Sequence, residues 1–210
     1  MVPVTSRPRP YHLGRRQAGV DRTRARILTA ARALLTAPSS TAFSIDAVAR
    51  RARVTRATVY QRFGSRAKLL EALFDDMARL GGMRDLTEAF RQTNPTAALA
   101  RVVATFGRFW TLHRPIVQRL FALGALDPEL GQTLRGRNEW RRQGLREIVH
   151  RLHARGRKSH AGQLDATVDL LFTLTSFHTF DTLAGPDRKP SDVVPQVLQT
   201  CLQLLGLPAK

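Results

Sequence analysis

Apolar residues recur at helical spacing along almost the whole chain. Ile27, Ala31, Leu34 and Leu35 fall at i, i+4, i+7 and i+8, which predicts a first helix ended by Pro38. Ile45, Val48, Ala49 and Ala52 make the inward face of a short second helix. Ser44 is its expected N-cap, and Asp46 lies in the first turn, where the helix dipole favours an acid. A break follows at Arg53-Val54. Thr55 then caps a third helix through about Arg62, Gly64 stops it, and Ser65 caps a fourth that runs to about Leu80 before Gly81-Gly82. Further helices are predicted at Pro95–His113, Ile116–Leu123, Pro128–Arg155, Asp165–Ala184 and Ser191–Leu205. Turns at Pro115, at Asp127-Pro128, from Gly156 to Gly162 and from Gly185 to Pro190 separate them. No segment alternates with period two and no internal repeat is visible. The pattern predicts an all-α protein of about nine helices.

Charge divides this helical chain unevenly. Of 210 residues, 34 are Lys or Arg and 16 are Asp or Glu, for a formal net charge of +18. Residues 1–68 hold 15 of the cations and only two acids, Asp21 and Asp46, giving +13; residues 69–210 carry the remaining +5. A general taste for arginine would spread evenly, so the concentration points to a polyanion, nucleic acid ahead of an anionic membrane surface. At the N-terminal end, Pro3, Pro8, Pro10, Gly14 and Gly19 alternate with Arg7, Arg9, Arg15 and Arg16, which predicts a flexible basic arm over residues 1–21. Such a stretch is either a solvated tail or an arm laid along DNA. The charge-free stretch Leu170–Phe180 is too short to span a bilayer, and the one at Val193–Ala209 is broken by Pro195 and three glutamines. With no apolar segment behind the basic start, a soluble, cytoplasmic protein is expected. Cys201 is the single cysteine, which excludes an internal disulfide and any multi-cysteine metal site.

Residues Ser44 to Phe63 are two short helices joined by a tight turn, the pattern of a helix-turn-helix. Ala49 is the small residue such a crossing needs, and Val54 and Val59 are expected to seal it against Val48. That leaves Thr55, Arg56, Thr58, Gln61 and Arg62 outward. Arg and Gln make paired bonds to base edges, and Thr bonds phosphate or touches a thymine methyl. Tyr60 is a rigid phosphate donor, and Arg66 and Lys68 open the next helix, where amide groups already favour an anion.

The run Phe43 to Ala49, then Ala52-Arg53-Val54-Thr55-Arg56-Ala57-Thr58-Val59-Tyr60-Gln61-Arg62-Phe63, then Ser65 to Leu70, resembles the DNA-binding head of the TetR family of bacterial transcriptional regulators. The resemblance covers about residues 22–75. It implies a homodimer, double-stranded DNA with a palindromic operator, and a small-molecule effector. It implies too that Thr55, Arg56, Thr58, Tyr60 and Gln61 lie at the DNA, with Arg66 on a phosphate. The expected division is a helix-turn-helix domain at 22–68 and a helical ligand-binding and dimerisation domain at 69–210. Arg53 stands where the family usually has glycine; a left-handed backbone there costs an arginine about 1 kcal/mol.

The remaining two-thirds offers less specific signals. Asp165–Ala184 is apolar nearly all round, and Ser191–Leu205 sets Val194, Val197, Leu198, Cys201, Leu204 and Leu205 opposite an uncharged face of Gln196, Gln199, Thr200 and Gln203. These two segments are the expected dimer helices. Phe106, Phe109, Trp110, Phe121, Phe172 and Phe177 are candidate walls of an effector pocket, against plain core packing. Trp140 sits among Arg137, Arg141 and Arg142, either a cation–π surface cluster or a site for an acidic ligand. His150 and His153 share a face without a companion carboxylate at metal spacing, so no metal or other cofactor is expected. No phosphate loop, HExxH or nucleophile elbow is present, and Asp169 with His178 or Asp181 is equally a polar anchor, so an enzyme is not expected. The competing readings are an architectural, non-specific DNA-binding protein and an enzyme with a vestigial head.

Overall fold

The computed structural model describes residues 13–37, 43–153 and 161–207. Ten α-helices and one 3-10 turn make it up, with no strand among the described residues. In chain order the helices are α1 (Leu13–Thr36), α2 (Ile45–Ala52), α3 (Arg56–Phe63), α4 (Arg66–Leu80), α5 (Arg84–Arg91), α6 (Pro95–Gly124), α7 (Pro128–His153), α8 (Ala161–Leu174), α9 (Phe177–Ala184) and α10 (Val194–Leu204), with the 3-10 turn Pro190–Val193 before the last. The all-α expectation holds.

Local chemistry sets the head. Ser44 Oγ accepts from Ala47 N at 3.2 Å, Thr55 Oγ1 from Thr58 N at 3.1 Å and Ser65 Oγ from Lys68 N at 3.1 Å, so each short helix starts on its own cap. Gly64 ends α3 at φ 79°, where a side chain would be strained. Ile45, Val48, Ala49 and Ala52 of α2 and Val59 and Phe63 of α3 are buried with Ile27, Ala31 and Leu35 of α1. α1, however, begins at Leu13, inside the expected arm. The prolines that argued against a helix all precede it, and Gly14 and Gly19 alone do not stop one. Residues 1–12 lie outside the described residues.

In the body, α6 is the central rod, packed on α1, α5, α7, α9 and α10. It continues unbroken past Pro115, where a break is expected from sequence. The proline ring is exposed, and His113, Ile116, Val117 and Leu120 on either side are buried, so tertiary packing outweighs one missing amide. Conversely, the single helix expected at Asp165–Ala184 is two. Ser176 turns extended and caps α9 through Thr179 N at 3.2 Å, while Thr175 Oγ1 bonds back to Leu171 O at 2.8 Å. α5 has no counterpart in the sequence prediction; with only Leu86 and Ala89 buried, its pattern is too short to stand out. The corner between α6 and α7 is tight. A Cβ on Gly131 would sit 2.8 Å from the Gly124 carbonyl oxygen, so only glycine permits this approach.

α8 and α10 cover one flank. Val168 and Leu171 face in, while Leu170 is half exposed. On α10, Val197, Cys201 and Leu202 are buried, and Gln196, Gln199, Thr200 and Gln203 face out. Leu204, expected inward, is partly exposed, and Leu202 takes the inner place. Burial pushes the Cys201 thiol up to about 12, which makes it inert.

Candidate nucleic-acid interface and the cavity behind it

The reader helix α3 stands on α2 and α4 by its buried face, Val59 and Phe63, with half-buried Val54 sealing the turn. Thr55, Arg56, Tyr60 and Gln61 are exposed on its other face, and Thr58 and Arg62 are half-buried beside them. These six belong to the part of α3 and its cap that Val59 and Phe63 leave uncovered. Arg56 is already ordered: its guanidinium donates to Asp46 Oδ2 at 3.1 Å and to Tyr60 Oη at 3.3 Å and lies 5.4 Å from the Tyr60 ring centroid. Tyr60 and then Asp46 hold its pKa above the ordinary value, so it meets a partner fully charged. Ser44 is half-buried with its oxygen committed to the α2 cap, and Lys68 is exposed near the start of α4.

The turn between α2 and α3 takes the left-handed form. Arg53 has φ 52° and ψ 49°, the one non-glycine with positive φ among the described residues. Arg53 N donates to Arg50 O at 3.1 Å and Val54 N to Ala49 O at 3.0 Å, closing the helix end. Arg26 of α1 donates to the carbonyls of Ala52 at 2.6 Å and Arg53 at 3.2 Å. Sequence spacing gave no sign of that strut, because its two ends are 26 residues apart.

Arg66 is placed differently from its companions. Its guanidinium is hydrogen-bonded to Asp127 at the α6–α7 corner, to Glu129 Oε2 at 2.9 Å and to Phe43 O at 3.4 Å. Asp127 chiefly raises the Arg66 pKa, and the Arg66 hydrogen bond holds the Asp127 carboxyl below the usual carboxylate range. The side chain expected on a phosphate thus ties head to body. α4 continues the tie: Asp76 pairs with Arg32 of α1, Asp75 with Arg137 of α7 at 2.6 Å, and Met77 O accepts from His113 Nε2 of α6 at 2.9 Å.

The inner face of α4 also walls a cavity of about 650 Å³, through Phe74 and Met77. Phe106, Phe109, Trp110 and Phe121 line it from α6. Phe172 and Phe177 are not in its wall. Phe172 lies against Arg141 and Arg142 at 4.0 and 4.2 Å, and Phe177 stacks on Phe121 at 5.8 Å, a layer behind. From α7 come Arg137, Trp140 and Arg141. The cations of that cluster sit over Phe74, Phe106 and Phe172, and Trp140 meets Phe90 edge-on at 5.8 Å. Asp169 and Asp181 are engaged by Arg142 and Arg114. Among the described residues no group of three or more His, Cys, Asp and Glu could hold a metal ion, and no helix is long and apolar enough to cross a membrane.

Residues 27–73, the three helices just described and the start of α4, match the family described as bacterial regulatory proteins, tetR family. The match is confined to this N-terminal head. Solved regulators share the fold over nearly the full length. NalD of Pseudomonas aeruginosa, described as the secondary repressor of the MexAB-OprM multidrug efflux pump, is 20% identical with a TM-score of 0.63, over 88% of this chain and 96% of its own. A TetR transcription regulator of Haloarcula marismortui is 13% identical with a TM-score of 0.66, covering 89% and 97%. GusR of Salmonella enterica is 18% identical with a TM-score of 0.62, covering 88% and 96%. No curated protein sequence matches the chain. The head is thus similar to that of bacterial regulatory proteins of the tetR family, and the chain as a whole shares the fold of these solved regulators.

Proposed function

We propose that this chain is a DNA-binding transcriptional regulator, a homodimeric repressor of a palindromic operator released by a small molecule held in the cavity behind α4. The observation that carries the reading is the shared use of α4. Its first residue, Arg66, is bound to the α6–α7 corner, its length supports α3, and its inner face is cavity wall. A molecule that fits the cavity better in one placement of α4 shifts the head by its differential affinity for the two placements. Thr55, Arg56, Thr58, Tyr60, Gln61 and Arg62 would face the major groove, with Ser44 and Lys68 at its edges. Two copies would sit in successive grooves about 34 Å apart. The second copy is taken to pack on the uncharged face of α10 and on Leu170 of α8, a surface with few groups that resist desolvation.

Selection of bound duplexes from a random pool tests this reading. An inverted repeat is expected, with base preference abolished at one position of each half-site in Arg56→Ala or Gln61→Ala. Equal affinity for random and selected duplexes across a salt titration would point instead to charge-driven packaging.

A further inference from the structure

Arg141 is the unusual cation of the body. It projects from α7 into the cavity wall and is only 4% exposed. Four other arginines of the same helix hold a carboxylate: Arg137 holds Asp75, Arg142 Asp169, Arg146 Asp165 and Arg151 Glu147. Arg141 holds none among the described residues. Its NH1 donates to Phe172 O and Thr175 Oγ1, both at 3.1 Å, and its Nε is buried without a hydrogen-bond partner. The Phe106 and Phe172 rings at 5.6 and 4.0 Å compensate part of the charge through their faces. Burial pushes the guanidinium down to about 9, which still leaves it a cation at neutral pH. A buried charge without a counter-ion is costly, and proteins keep such groups where a function needs them.

The rest of the cavity repeats the sign. Its wall also carries Arg79, Arg84 and Arg137 against the single acid Asp75, and that acid is already paired with Arg137. Between these cations the surface is mostly aromatic and aliphatic, with Thr87 and Asn138 as its uncharged polar side chains. We infer that the cavity takes a small carboxylic acid with an apolar or aromatic body, its carboxylate serving as the counter-ion of Arg141. A guanidinium presents parallel donors that match a carboxylate. Arg79 and Arg137 are already held by Asp76 and Asp75, whereas the buried Arg141 has no carboxylate partner among the described residues, and one carboxylate balances it. The inference rests on reading the cavity as an effector site and names the effector's class.

The chain has two tryptophans, Trp110 and Trp140, and both line the cavity, so its fluorescence reports on this site directly. The full-length protein is titrated with decanoate and with 4-phenylbutanoate, and in parallel with decanamide and 4-phenylbutanamide, which keep the shape and lose the charge. Each acid is expected to bind tenfold or more tightly than its amide. Arg141→Met is expected to bring the ratio close to one while leaving amide binding intact, and Arg141→Lys to keep part of the preference. If Arg141→Met fails to fold, the wild-type ratio and Arg141→Lys decide. Amides that match their acids, a preference that survives Arg141→Met, or no response to any of the four compounds would overturn the inference. Gel shifts on the selected duplex separate it from the regulator reading. Acid preference without DNA release leaves the inference standing and removes effector control. Release by a neutral compound, with no preference for acids, does the reverse.

Discussion

At the scale of single residues, two side chains store measurable costs. Arg53 holds φ 52° with an exposed side chain, in a turn whose hydrogen bonds come from backbone amides and from Arg26. Glycine adopts that conformation without the Cβ clash, so Arg53→Gly should gain about 1 kcal/mol in urea unfolding. A loss of stability would show that the Arg53 side chain contributes more than the backbone strain it causes. His113 stores a pH dependence. Its buried ring donates through Nε2 to Met77 O at 2.9 Å, and burial, helped by Arg32 and opposed by the Met77 bond and Asp76, holds its pKa below 6.5. In the unfolded chain the same ring takes up a proton near 6.5. The unfolded state therefore binds more protons below that pH, and stability is lost as pH falls from about 6.5 toward the folded value. Replacing His113 by Gln should shrink the difference in unfolding free energy between pH 7.5 and 5.5. An unchanged difference would place the titration elsewhere.

At the scale of elements, α4 is the member through which head and body meet, and Arg66 is its first residue. The guanidinium is shared among Asp127, Glu129 and Phe43 O, which leaves little of it for a phosphate. Arg66→Ala should accordingly leave the slope of log affinity against log salt unchanged. Were Arg66 bonded to a phosphate, its removal would lower that slope by about 0.9. The substitution should instead weaken the dependence of DNA binding on whatever occupies the cavity. Asp127→Asn, which removes the acceptor charge and leaves Arg66 in place, should act in the same direction. The contrast marks where sequence reading stops. Ser44, Thr55, Gly64 and Ser65 were legible because a cap acts within three residues of itself. The outward set on α3 was legible because an eight-residue helix with Val59 and Phe63 buried has one free face. Pro115 misled because the packing of α6 on five other helices outweighs a local preference. The partners of Arg66 lie 61 and 63 residues away, and those of Arg141 31 and 34, distances at which spacing says nothing. The cluster of Arg137, Trp140, Arg141 and Arg142 was visible, but the cavity it faces exists only once α4, α6 and α7 are assembled.

At the scale of the whole molecule, the proposed dimer has to bring two readers to one duplex. A reader helix of eight residues touches few base pairs, and one copy of it has little specific free energy to offer. Tethering a second copy makes the second half-site contact intramolecular, which raises the apparent affinity roughly 10²-fold or more when the span matches. The surface proposed for that tether has a single large apolar residue on α8, Leu170, at 50% exposure, beside the uncharged row Gln196, Gln199, Thr200 and Gln203 on α10. A charge at Leu170 costs nothing in an isolated protomer, where the position faces water. It is expensive in an interface, where no cation of either copy's row can neutralise it. Leu170→Glu should therefore leave the melting behaviour of dilute protein intact, halve the sedimenting mass, and lower affinity for the selected inverted repeat by roughly 10²-fold. Binding to random duplex should stay close to the wild-type value per protomer, because it draws on the cations of residues 1–68, far in sequence from this flank. If the variant keeps its doubled mass, the second copy sits elsewhere. If it sediments as a single chain and keeps the affinity, the two heads are aligned by the duplex and not by the body.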